Sequence, residues 1–66
     1  MFYYLVTYQT PQFPTDVVKC RQEFNPMDRI VGVESYKKVS PFIGVLHECF
    51  GNGQSWEMPI REEGSN

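Results

Sequence analysis

The run Phe2-Tyr3-Tyr4-Leu5-Val6-Thr7-Tyr8 constrains this chain more than any other stretch, because aromatic and β-branched residues in unbroken succession favour a strand over a helix. Side chains alternate across a strand, so Phe2, Tyr4, Val6 and Tyr8 share one face and Tyr3, Leu5, Thr7 and Gln9 the other. The even face is wholly apolar or amphipathic and is the expected core. The run starts beside Met1, without the charged start, long apolar stretch and small-residue cleavage site of a sorting signal. The expectation is a chain that opens directly with its own fold and works in the cytoplasm.

Sixty-six residues make one domain at most, and a domain near this size buries only about 60% of the surface its unfolded chain exposes. Stability is then thin, and association with a second copy or a larger protein adds to it by mass action. With 41% hydrophobic and 15% aromatic residues, the composition is too apolar for a disordered segment and too interrupted for a membrane span. Six Lys plus Arg against eight Asp plus Glu give a net charge of −2. That balance lacks the clustered positive charge of a duplex-DNA binder. Disulfides are rare in a reducing cytosol, so Cys20 and Cys49 are both read as buried thiols.

Along the chain, Pro11 and Pro14 flank Phe13 in a turn. Thr15 is then placed to cap a helix with Asp16 in its first turn, and Val17, Cys20 and Phe24 fall on one helical stripe, which predicts a helix over 15–24. Asn25-Pro26 ends it, since proline cannot continue the hydrogen-bond ladder. Residues 29–39 read as a second strand in which Val31 and Val33 face inwards and Gly32 marks a bulge or close approach. Residues 40–50 are ambiguous. Ser40, Pro41 and the spacing of Phe42, Val45, Leu46, Cys49 and Phe50 support a helix. Ile43, Val45 and above all Gly51-Asn52-Gly53 before Gln54-Ser55-Trp56 support a hairpin, the favoured reading. Trp56, Met58 and Ile60 share one face of a last strand that Pro59 assigns to a sheet edge.

Chemistry is sparse. Cys20, His47 and Cys49 are the best metal-ligand set, but Cys-x-x-Cys and His-x-x-x-His spacings are absent and no fourth ligand stands out, so no metal or cofactor is expected. A Cys/His nucleophile pair would need an orienting third residue that cannot be identified, and a chain of this size has difficulty enclosing a pocket of several hundred Å3. Gly51-Asn52-Gly53 lacks the Lys and Ser/Thr of a phosphate loop. Tyr3, Tyr36 and Trp56 near Lys37 and Lys38 offer only a crude single-strand platform, because adjacent lysines on a strand point to opposite faces.

The resulting expectation is an α+β domain over 1–60 in the order β-α-β-β-β, a mostly antiparallel sheet with one helix on one face, followed by a flexible tail over 61–66. The alternative order is β-α-β-α-β. With one helix covering the even face, Tyr3, Leu5, Glu34, Tyr36 and Lys38 would stand together on the open side as a partner-binding patch, since tyrosine offers large contact area at low entropic cost. The functional expectation is a non-catalytic protein-binding module, a modulator or inhibitor of a larger host or cognate protein, of the compact kind that phages and mobile elements encode. A homodimer through the open face is compatible with it. A single-stranded nucleic-acid module and a small thiol or zinc protein are the alternatives; no membrane association is expected.

Overall fold

Strands pair where backbone and side chains are both satisfied, and the aromatic run achieves this on all sides. In the computed structural model, which describes residues 1–61, the chain forms β1 (Phe2–Tyr8), β2 (Asp16–Cys20), α1 (Pro26–Arg29), β3 (Val33–Val39), α2 (Pro41–Phe50) and β4 (Ser55–Glu57). The sheet order is β3-β1-β2-β4. β1 pairs antiparallel with β2 and β3, and β4 adds parallel to β2. The expected α+β class and mostly antiparallel sheet are therefore present, with β4 at an edge. The order β-β-α-β-α-β replaces both orders expected from sequence.

The first correction concerns 15–24. Val17 and Val18 are both buried, on opposite faces of β2, where the helical stripe would have left Val18 in water. A central strand covered on both faces loses polar alternation and reads as a continuous apolar run, which a helical template matches by accident. Asn25-Pro26, expected to stop a helix, starts one: the Asn25 Oδ1 accepts the Met27 N–H at 2.9 Å and Pro26 occupies the first helical position. Val31, expected to face inwards, is fully exposed. It lies in the turn before β3, beside Gly32, whose φ of 89° is the left-handed conformation that glycine adopts without strain.

The second correction concerns 40–50, which is a helix and not the arm of a hairpin. Ser40 Oγ accepts the Ile43 N–H at 3.3 Å, Pro41 opens the first turn and Gly51 closes the last. The Gly-Asn-Gly segment connects α2 to β4, and Gly53 lies so close to the Thr15 carbonyl that a Cβ there would stand 1.9 Å from its oxygen. Glycine is needed for that close approach, not for a hairpin turn. Of the expected tail over 61–66, Arg61 donates its N–H to Gln22 Oε1 at 2.6 Å; residues 62–66 lie outside the described residues.

The even face of β1 is the main core, as expected. Tyr4, Val6, Val18, Cys20, Val33 and Met58 form its buried cluster, with Phe2, Tyr8, Phe24, Ile30 and Trp56 packed around it. The Tyr4 hydroxyl is satisfied inside it by the Phe24 N–H at 3.2 Å, and the two rings meet edge-on at 4.5 Å. The odd face carries Tyr3, Leu5, Val17 and Lys19, and α2 lies across it with Gly44 against Tyr3. A Cβ on residue 44 would come within 2.2 Å of the Tyr3 ring, which must move or push the helix away. Gly44→Ala is therefore expected to lower stability by about 1–3 kcal/mol despite alanine's better helix propensity. A urea unfolding curve checks it, and a midpoint equal to or above that of the parent would refute the close fit.

Candidate functional site

The residues expected to form one binding patch are separated by the structure. Tyr3 is only 8% exposed beneath α2, and Leu5 is half-buried on the same covered face. Tyr36 and Lys38 pair with Val6 and Tyr4 and so lie on the even face. The cause is a β-bulge. Tyr8 pairs with Val33 and Thr7 with Ser35, leaving Glu34 as the extra residue, which reverses the in-out parity between Val33 and Tyr36. Tyr36 meets the Tyr4 ring edge-on at 6.0 Å, and Lys38 pairs with Glu23 while standing 5.2 Å above the Phe2 ring. Glu34 alone is left as an exposed carboxylate at the bulge.

The remaining surface that stands out is α2 itself. Successive residues advance about 100° around a helix, so Phe42, Leu46, Cys49 and Phe50 share one side and Gly44 and Glu48 the opposite one. The sheet receives the small and polar side. Gly44 is the helix's buried residue, and Glu48 forms an ion pair with Lys19 at 2.5 Å while its Oε2 accepts the Ser55 hydroxyl. The apolar side faces water: Phe42 is 71% exposed, Phe50 84% and Leu46 39%, with Ile43 and Val45 exposed on the flanks. A shallow hollow of about 310 Å3 lies between Leu46, His47, Phe50 and Gly51. A surface helix of a monomer normally points its apolar stripe at the core, so this orientation is inverted.

The electrostatics of the helix follow from the same arrangement. The hydrogen bond from Lys19, then that from Ser55, holds the Glu48 carboxyl below its ordinary value, and the Glu48 hydrogen bond holds Lys19 above its own. Neither group sits on the outer side of α2, which carries no charge. Cys49, expected to be buried, is exposed on this helix, whereas Cys20 is buried in the core; both are free thiols. Among the described residues, no three His, Cys, Asp or Glu side chains converge as metal ligands would. No described helix is long and apolar enough to cross a membrane.

The sequence carried the signal for this surface in the helical spacing of Phe42, Val45, Leu46, Cys49 and Phe50. What it concealed was the direction of the stripe. Compared with known proteins, the chain gives no significant match to any family model, curated protein or solved structure.

Two outcomes test this placement. Tyr3→Ser is expected to cost about 3 kcal/mol or more by leaving a cavity under α2, and Tyr36→Ser, at a site 40% exposed, about 1 kcal/mol or less; equal losses on denaturant titration would contradict it. The depressed Glu48 carboxyl contributes stability that is present above its ordinary value of 4.5 and lost as pH falls below that value. Glu48→Gln should therefore lose up to about 1 kcal/mol at pH 7 and show a flatter acid decline in thermal midpoint than the parent.

Proposed function

We propose that the chain is a non-catalytic protein-binding module whose docking element is the outer side of α2, seated in an apolar groove of a larger protein whose activity it modulates by occupying that groove. The observation that carries this reading is the inverted orientation of the helix. Phe42, Val45, Leu46 and Cys49 fall at the i, i+3, i+4 and i+7 anchor positions by which amphipathic helices enter grooves, and Phe50 extends the row by one residue. Exposed apolar area of this kind disfavours the isolated chain and is offset when a partner covers it. The absence of charge from this side matches an apolar groove better than a charged one. It also weighs against the single-strand alternative, since Lys19 and Lys38, two of the chain's cations, are engaged by Glu48 and Glu23.

The test is site-specific photo-crosslinking in the source cells, with the probe placed at Phe50 or, as a control, at exposed Lys37 on β3. The expected result is one recurrent heavier product from position 50, absent from position 37 and abolished by Phe42→Glu. That substitution should shift the thermal midpoint of the isolated protein by no more than about 2–4 °C, because Phe42 is 71% exposed. Identical products from both positions would refute the reading. A product of twice the chain mass, confirmed by light scattering, would replace the larger protein with a second copy.

A further inference from the structure

Where β1 runs into the turn that leads to β2, a hollow of about 400 Å3 opens between Tyr8, Phe13, Pro14, Asp16, Val31 and Gln54. It reaches the lower range of small-ligand sites, more than the chain's length led one to expect. At its base, Asp16 Oδ2 accepts the Tyr8 hydroxyl at 2.6 Å and Oδ1 accepts the Gln54 N–H at 2.8 Å. Both donors are neutral, so they orient the carboxylate without cancelling its charge. The ion pairs among the described residues are Lys19–Glu48, Arg21–Glu57 and Lys38–Glu23, and none reaches Asp16. A half-buried carboxylate held in place by hydrogen bonds and left without a counter-charge is a site that favours a cation.

The walls add to this preference. The Tyr8 and Phe13 rings stand at 86° to each other with centroids 6.3 Å apart, bounding an aromatic corner beside the carboxylate. Aromatic faces attract cations through the ring quadrupole, most strongly alkylated ammonium groups, which give up water easily and also bury carbon. Phe13, 58% exposed, and Val31, fully exposed, stand at the rim. Burial, and then the hydrogen bond to Asp16, push the Tyr8 hydroxyl up to about 12. It therefore keeps its proton at neutral pH and remains a donor to Asp16.

We propose that this hollow binds a small organic ammonium cation, with the charge facing Asp16 and the alkyl groups against Tyr8 and Phe13. The site is separate from the outer side of α2, and its occupancy does not depend on that surface.

The experiment is an amide NMR titration of the full chain with tetramethylammonium chloride, with sodium chloride and the neutral tert-butanol as controls. The expected result is saturable shifts at Phe13, Asp16, Gly32 and Gln54, with a dissociation constant on the order of millimolar. Phe13→Ala, at an exposed position, should weaken binding about threefold, and Asp16→Asn about tenfold or more. Nα-acetyl-lysine methylamide forms a second arm. Weaker binding than tetramethylammonium is the expected result and assigns the hollow to a small alkylated amine; tighter binding would overturn the proposal in favour of a partner's lysine side chain. Non-saturable shifts, equal shifts from sodium chloride or tert-butanol, or unchanged affinity in folded Asp16→Asn would overturn it. If circular dichroism shows Asp16→Asn unfolded, Phe13→Ala decides, and unchanged affinity there overturns the proposal as well.

Discussion

β1 commits both of its backbone edges to neighbouring strands and both of its faces to other parts of the chain, and the rest of the molecule is arranged to meet those demands. On the even side, Tyr4 and Val6 need an apolar roof, supplied by Phe24, Ile30 and Met58. On the odd side, Tyr3 needs cover but stands next to Lys19, whose amine lies 5.9 Å above the Tyr3 ring. A roof there must be thin over the ring and acidic over the lysine. α2 meets both requirements with Gly44 and Glu48, four residues apart on one side of the helix.

The exposed apolar surface is a consequence of that fit. Once Gly44 and Glu48 are turned to the sheet, helical geometry forces Phe42, Leu46 and Phe50 to the opposite side. Reversing the helix would bury about three large side chains but would strand Lys19 and displace the close contact at Tyr3. The loop that follows carries the constraint further. Gly53 packs on the Thr15 carbonyl and Gln54 donates its N–H to Asp16, so the placement of α2 helps to set the carboxylate at the base of the hollow. The two proposed binding features are distinct surfaces with a common structural support.

Much of the framework was legible. The first strand, its even core face and the α+β class all follow from alternation and β-branched composition, whereas the last strand, expected to run through Met58 and Ile60, ends at Glu57, before Pro59. Three particulars were not. Val17 and Val18 are adjacent and both buried, so β2 lacks the alternation by which a strand is recognised. The caps of α2 at Ser40 and Gly51 were visible, yet Asn52-Gly53 offered a hairpin of comparable local merit, and tertiary contacts decide between them: Gly44 on Tyr3, Glu48 on Lys19 and Gly53 on Thr15. The bulge at Glu34 leaves no residue signature, and one extra residue is enough to move Tyr36 and Lys38 to the face opposite Tyr3.

What the sequence determined by itself was local: where much of the backbone is extended, which residues can cap a helix, that acidic residues outnumber basic ones, and that Tyr3, Tyr4 and Tyr8 would be shared between two faces of β1. Tertiary structure alone decided which faces are covered. Periodicity states that a helix has an apolar side but not which way it points, because that depends on what the opposing sheet requires, here room for Tyr3 and a carboxylate for Lys19. The apolar stripe over 42–50 was thus present in the sequence from the outset. Its exposure, and with it the candidate interface, came from the sheet beneath it.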